Sequence, residues 1–166
     1  MANTYTLIAS STVSSGGATS IDFTSIPSTY TDLIIKISAR ADAGQFAELI
    51  FNGSTTGYSN IRIEGDGSTA YSNSRSDDLI QFLNGTSTTA NTFGNAEIYI
   101  PNYTSSNYKS FSQDFVAENN ATSTTVSLWA GLWSNTAAIT SISLDPQGTA
   151  KFVQYSTAYL YGVKNA

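Results

Sequence analysis

The 166-residue chain has no cysteine and no histidine, and its one methionine is Met1. Without those residue types a Ser-His-Asp or Cys-His catalytic arrangement cannot be assembled. Zinc sites built from His and Cys are excluded on the same ground, as are disulfides and thiol redox chemistry. Charge is scarce too. Charged residues make up 11% of the chain, with seven basic and twelve acidic residues and a formal net charge of −5, where a typical domain is about 25% charged. The basic residues Lys36, Arg40, Arg62, Arg75, Lys109, Lys151 and Lys164 are scattered. Nucleic acid is therefore not an expected partner, because neutralising phosphates needs clustered Lys and Arg. No polybasic patch points to a membrane surface, and no stretch approaches the ~18 apolar residues of a spanning helix. The start, Met1-Ala2-Asn3-Thr4-Tyr5, lacks the basic and apolar regions of a signal peptide. The expectation is a soluble protein made in a cytoplasm.

What remains is a chain 40% hydrophobic and 12% aromatic, with ten Tyr and eight Phe. Its polar share is carried by Ser, Thr, Asn and Gly. Tyr and Phe favour strands, while the short polar residues favour turns and caps over helix interiors. Periodicity agrees. Over residues 31–41, Leu33, Ile35, Ile37 and Ala39 alternate with Ile34, Lys36, Ser38 and Arg40, which is the period of a strand. Further strands are expected over 5–10, 20–25, 46–51, 95–100, 110–117, 124–133, 138–144 and 152–163, and where Ile61 and Ile63 alternate with Arg62 and Glu64. Asn52-Gly53 is a hairpin-type turn pair, and Pro101 is expected to end a strand. Residues 76–83 read as a short helix or a strand. Many short strands separated by such turns predict an all-β protein, an antiparallel, jelly-roll-like β-sandwich, with residues 1–166 forming a single domain.

Chemistry is hard to find. There is no P-loop and no GxGxxG opening a helix. A carboxylate pair is the one enzymatic arrangement left, and none of the acidic residues sits in a recognisable motif, so no catalytic residue and no cofactor are expected. The run Glu64-Gly65-Asp66-Gly67-Ser68 offers hard oxygens of the kind calcium accepts. It lacks EF-hand spacing, and a polar turn is the expectation. The aromatic residues are more suggestive. As strand residues, Trp129 and Trp133 share one face, with Leu128, Ala130 and Leu132 on the other, and Tyr155, Tyr159 and Tyr161 share a face of the last strand. Such residues serve either as core or subunit interface, or as a platform on which a sugar stacks.

Two stretches carry a resemblance. The first is Tyr5-Thr6-Leu7-Ile8-Ala9-Ser10 with Ile21-Asp22-Phe23-Thr24-Ser25-Ile26-Pro27-Ser28-Thr29-Tyr30-Thr31-Asp32-Leu33. The second is Ile139-Thr140-Ser141-Ile142-Ser143-Leu144 with Phe152-Val153-Gln154-Tyr155-Ser156-Thr157-Ala158-Tyr159-Leu160-Tyr161-Gly162. They resemble a family of small β-rich virion structural proteins of tailed bacteriophages, especially those of marine bacteria. The resemblance implies a non-enzymatic protein on the exterior of the particle, made in the host cytoplasm. It says little about residues 52–120. Two locations follow from it. A capsid decoration or cement protein would form a homotrimer on the major capsid protein. A tail-fibre or receptor-binding module would use the aromatics on a host surface glycan. The lack of heptads, collagen-like repeats or an anchoring domain favours decoration. A stand-alone lectin or hydrolase is the third possibility.

Overall fold

The computed structural model describes residues 4–120 and 124–164. These residues form twelve strands and no helix: β1 (Tyr5–Thr12), β2 (Ile21–Phe23), β3 (Asp32–Ala39), β4 (Ala47–Phe51), β5 (Tyr58–Gly65), β6 (Ala70–Arg75), β7 (Leu79–Ile80), β8 (Gly94–Ile100), β9 (Lys109–Val116), β10 (Val126–Trp133), β11 (Ile142–Pro146) and β12 (Thr157–Val163). They build an eight-stranded sheet in the order β1-β12-β3-β8-β9-β10-β5-β6 and a four-stranded sheet in the order β2-β11-β4-β7. Every strand pair is antiparallel.

The sheets pack face to face because each carries one apolar side. In β3 the residues Leu33, Ile35, Ile37 and Ala39 are buried and Lys36 and Ser38 are exposed, as the alternation requires. From β9, Phe111 and Phe115 point inward, and from β10, Trp129 and Trp133. The small sheet answers with Ile21, Phe23, Leu49, Phe51, Ile142 and Leu144. The layers meet at an aromatic cluster. The Phe51 ring lies 5.9 Å from Phe111 and 5.7 Å from Trp133, both edge-on, and Trp133 stacks on Tyr58 at 6.2 Å. Gly131, paired with Phe111, makes room there, since a Cβ at this position would sit 2.0 Å from the Phe111 ring.

The sandwich is the expected architecture, but the strands divide eight and four, where a jelly roll divides eight strands between two Greek keys. Two local expectations need correction, and one open alternative is decided. Asn52-Gly53 is a tight left-handed turn, with φ of 53° and 71° and the Ser54 N–H donating to the Phe51 carbonyl at 3.0 Å. It makes a corner between the sheets and not a hairpin: β4 belongs to the small sheet and β5 to the large one. Asn52 fixes the corner by accepting from the Thr140 and Ser141 amides and donating to the Ala138 carbonyl. For residues 76–83, expected as a helix or a strand, the strand is found, over Leu79–Ile80. Leu79 and Ile80 are drawn into the ladder beside β4, and Ile80, Phe82 and Leu83 are all buried. The last strand begins at Thr157 and not at 152. Before it, Phe152 bridges Ala18 and Ala41, and Tyr155 adopts a left-handed φ of 73° in the turn that follows, a conformation that favours glycine.

Candidate functional site

The register fixes which side chains share the outer face of the large sheet, the face turned away from the small one. Tyr5 and Leu7 on β1 join Tyr159 and Tyr161 on β12, then Ile34 and Lys36 on β3, then Glu97 and Tyr99 on β8. The series continues with Ser112, Asp114 and Val116 on β9, Val126, Leu128 and Ala130 on β10, Ile61 and Ile63 on β5, and Ser72 and Ser74 on β6. Twelve large hydrophobic residues are exposed among the described residues, and nine of them lie here: Tyr5, Leu7, Ile61, Ile63, Tyr99, Val116, Val126, Leu128 and Tyr159. The other three are Tyr71, Tyr108 and Tyr155. Isolated exposed apolar residues need no explanation, but a contiguous set on one face marks a contact surface.

The face has two zones. The first, across β1, β12, β3 and β8, is aromatic and polar. Tyr5, Lys36 and Tyr161 line a depression of about 350 Å³. Lys36 pairs with Glu97, which holds its amine above the ordinary lysine value. Tyr99 donates to Asp32 Oδ2 at 2.8 Å, and this bond to a carboxylate raises the phenol's pKa. The second zone, across β10, β5 and β6, is aliphatic. Leu128 stands directly opposite Ile63, Ala130 opposite Ile61, and Val126 opposite Val116. Ile61 is 60% exposed, Ile63 55% and Leu128 51%. The register also brings Asp114 to the border of this zone, opposite Leu128.

The inversion in β5 creates the aliphatic zone. Ile61 and Ile63 point to solvent, and Arg62 and Glu64 point inward, because β10 sets the register by burying Trp129 and Trp133. The Arg62 guanidinium lies over the Trp129 ring at 5.3 Å and the Phe46 ring at 5.4 Å, and its Nη1 pairs with Glu64 at 3.0 Å.

The five aromatic candidates are not brought together. Trp129 and Trp133 are 2% and 1% exposed and belong to the core, so neither can offer a ring to a sugar or a second subunit without unpacking the sandwich. Tyr155 projects from the turn before β12. Tyr159 and Tyr161 do share the outer face, together with Tyr5 and Leu7. Sequence reasoning passed over Ile61, Ile63, Val116, Val126 and Leu128. The signal was present in β10, where Leu128, Ala130 and Leu132 alternate with tryptophans: one apolar series had to be core, which left the other for an outward face.

At the turn between β5 and β6, Asp66 Oδ1 accepts from the Ser68 amide and hydroxyl and from the Thr69 amide, at 2.9, 2.9 and 2.7 Å. These bonds hold the carboxyl below its ordinary range. The run from Glu64 to Ser68 is thus a polar turn that closes a hairpin, with Glu64 itself facing inward.

The outer face of the small sheet has the opposite character. Glu48 on β4 stands opposite Asp145 on β11, and the Ser143 hydroxyl lies between Asp145, 2.9 Å away, and Asp22. Asp78, at the start of β7, has a buried Oδ2 without a partner. Burial raises the pKa of Glu48, Asp78 and Asp145, and repulsion from neighbouring carboxylates adds to it: Asp78 and Asp145 act on Glu48, Asp77 and Asp145 on Asp78, and Asp22 on Asp145. The folded protein therefore binds protons at these groups more tightly than the unfolded chain does. Stability falls as pH rises from the ordinary carboxylate range, about 4, through these raised values. Asp66 and Asp77 are depressed, Asp77 chiefly by its bonds to Arg75, and their contribution is lost only as pH falls below that range. Thermal melts should thus peak in mild acid and decline toward neutrality. In Glu48→Gln/Asp145→Asn the decline should flatten; an unchanged slope would count against the repulsion.

No family model, no curated protein and no solved structure matches the chain.

Proposed function

We propose that the chain is a non-enzymatic structural protein of the exterior of a bacteriophage particle, a capsid decoration or cement protein that works as a homotrimer bound to the major capsid protein. The observation that carries this reading is the outer face of the large sheet, which gathers nine exposed large hydrophobic residues on one surface. Contact surfaces between proteins are made this way, with apolar centres and small polar margins. The resemblance of the two terminal stretches to phage virion proteins supplies the setting. A chain with no cysteine and only Met1 as methionine also suits long exposure outside a cell, where oxidation goes unrepaired.

Copy number tests the location. Closed symmetry repeats a decoration contact over the whole shell, so densitometry of purified particles should give on the order of hundreds of copies. A value in the range of tail components would contradict it.

A second reading, a tail-fibre or receptor-binding module, is favoured by one observation: the depression lined by Tyr5, Lys36 and Tyr161, where aromatic rings and a cation adjoin as a host surface glycan requires. Under this reading Tyr161→Ala lowers adsorption to the host, and under the first it leaves adsorption unchanged.

A further inference from the structure

We infer that the aliphatic zone centred on Ile61, Ile63 and Leu128 is where a second copy of this chain docks. The inference rests on the assembly reading above and assigns to it a surface and an occupant.

Shape is the first argument. The three side chains are half-exposed and stand beside two hollows of the same face. On one side, Gly65 and Ala70 pair across β5 and β6 beside Val126, and their missing bulk leaves a hollow of about 500 Å³ walled by Ile63 and Leu128. On the other side, a hollow of about 460 Å³ lies beside Ile61 and Ala130, bounded by Ser59 and Ser74. Exposed aliphatic side chains and hollows on one face are the elements of a contact between copies, since the side chains of one chain can enter the hollow of the next.

Charge is the second argument. The chain carries a net charge of −5, so two copies repel unless they meet where charge is scarce. In this zone the margin carries Ser72, Ser74 and Ser112, with Asp114 at one side, while Glu64 and Arg75, each held in an ion pair, reach the walls of the two hollows. The carboxylates of the small sheet, Asp22, Glu48 and Asp145, lie on the opposite side of the sandwich. The aliphatic zone is therefore a part of the large sheet where a like-charged copy meets little repulsion.

Area is the third. Half-exposed aliphatic side chains present on the order of 100 Å² each, so Ile61, Ile63, Leu128, Val126 and Val116 supply on the order of 500 Å². A standard interface takes about 800 Å² from each partner, apolar at the centre and polar at the rim. The serine margin can furnish the remainder. The edge strand β6 borders the zone and has no neighbour on its far side among the described residues, which lets a partner reach across it.

Light scattering on the purified chain during gel filtration, at concentrations from about 1 to 100 µM, tests the inference. A mass of two or three times 17.6 kDa is expected at the upper end. In Ile63→Glu/Leu128→Glu association should weaken by roughly a hundredfold or more, because two carboxylates would be driven into an apolar contact. In Ile63→Ser/Leu128→Ser it should weaken less. Both should keep the wild-type β-rich circular dichroism spectrum and melt cooperatively, and Tyr161→Ser in the other zone should keep the wild-type mass. A monomeric wild type at 100 µM, or an oligomer unaffected by both double variants, would overturn the inference. A monomer would also remove the homotrimer from the proposal above, but it leaves the virion location to the copy-number test, because a monomer present in hundreds of copies per particle would still be a decoration protein.

Discussion

Trp133→Ala is expected to destabilise the fold by about 3–5 kcal/mol, the range for removing a large aromatic side chain from a packed core. The residue is 1% exposed and touches both layers, lying edge-on to Phe51 from the small sheet and stacked on Tyr58 from β5. Its loss would open a cavity where the sheets meet. The Tyr58 oxygen accepts the Phe51 amide at 2.7 Å, so this pair can close little of the gap without giving up a buried hydrogen bond. For a domain of this length each kcal/mol corresponds to roughly 2–4 °C, and the melting temperature should fall by about 6–20 °C. A shift under 2 °C, read by circular dichroism or calorimetry, would mean that Trp133 is not part of the core.

Lys109→Met is the second large effect. Lys109 starts β9 with its side chain pointing inward and only 1% exposed. No carboxylate pairs with it among the described ion pairs. Its ammonium instead donates to the carbonyls of Ser105, Asn107 and Asn135, at 2.7, 2.5 and 3.5 Å. One amine thus ties the loop before β9 to the segment after β10. Burial pushes its pKa below the ordinary lysine value. Methionine reproduces the stem and removes the donors, leaving these carbonyls without their partner at about 1–3 kcal/mol for each group that stays dry. A loss of about 3–5 kcal/mol is expected. Amide exchange in residues 104–108 and 134–137 should accelerate more than in β3 or β8. Uniform acceleration would show that Lys109 stabilises the molecule generally without fastening these two loops.

Much of the fold was legible in the sequence because strand alternation is a local signal. The series Leu33, Ile35, Ile37, Ala39 fixed β3 and its inward face, and the turn residues Asn52-Gly53 and Gly65-Asp66-Gly67 sit where the chain reverses or changes layer. Where reasoning failed, the deciding fact was not local. Asn52-Gly53 has the conformation its residues predict, yet whether it joins a hairpin or two sheets depends on which partners β4 and β5 find elsewhere. In β5 the pattern Ile-Arg-Ile-Glu gives the period but not the inward side, because neighbouring tryptophans on β10 choose it. The tryptophans suggest a platform, whereas the exposed surface is made largely by ordinary Ile, Leu and Val residues; β10 shows that one of its two apolar series faces outward, but which one depends on its neighbours. Tyr155 was assigned to a strand on alternation alone. Its left-handed backbone lies in a turn that follows the bridges Phe152 makes to Ala18 and Ala41, which are distant in sequence.

The whole account turns on the outer face of the eight-stranded sheet being a covered surface in the working assembly. An image of the intact particle at side-chain resolution measures that directly. The account predicts Ile61, Ile63 and Leu128 sealed against a neighbouring chain, with the carboxylates of the small sheet, Glu48 and Asp145, facing water. Finding the isoleucines bathed in solvent and the small sheet pressed against the particle would contradict it.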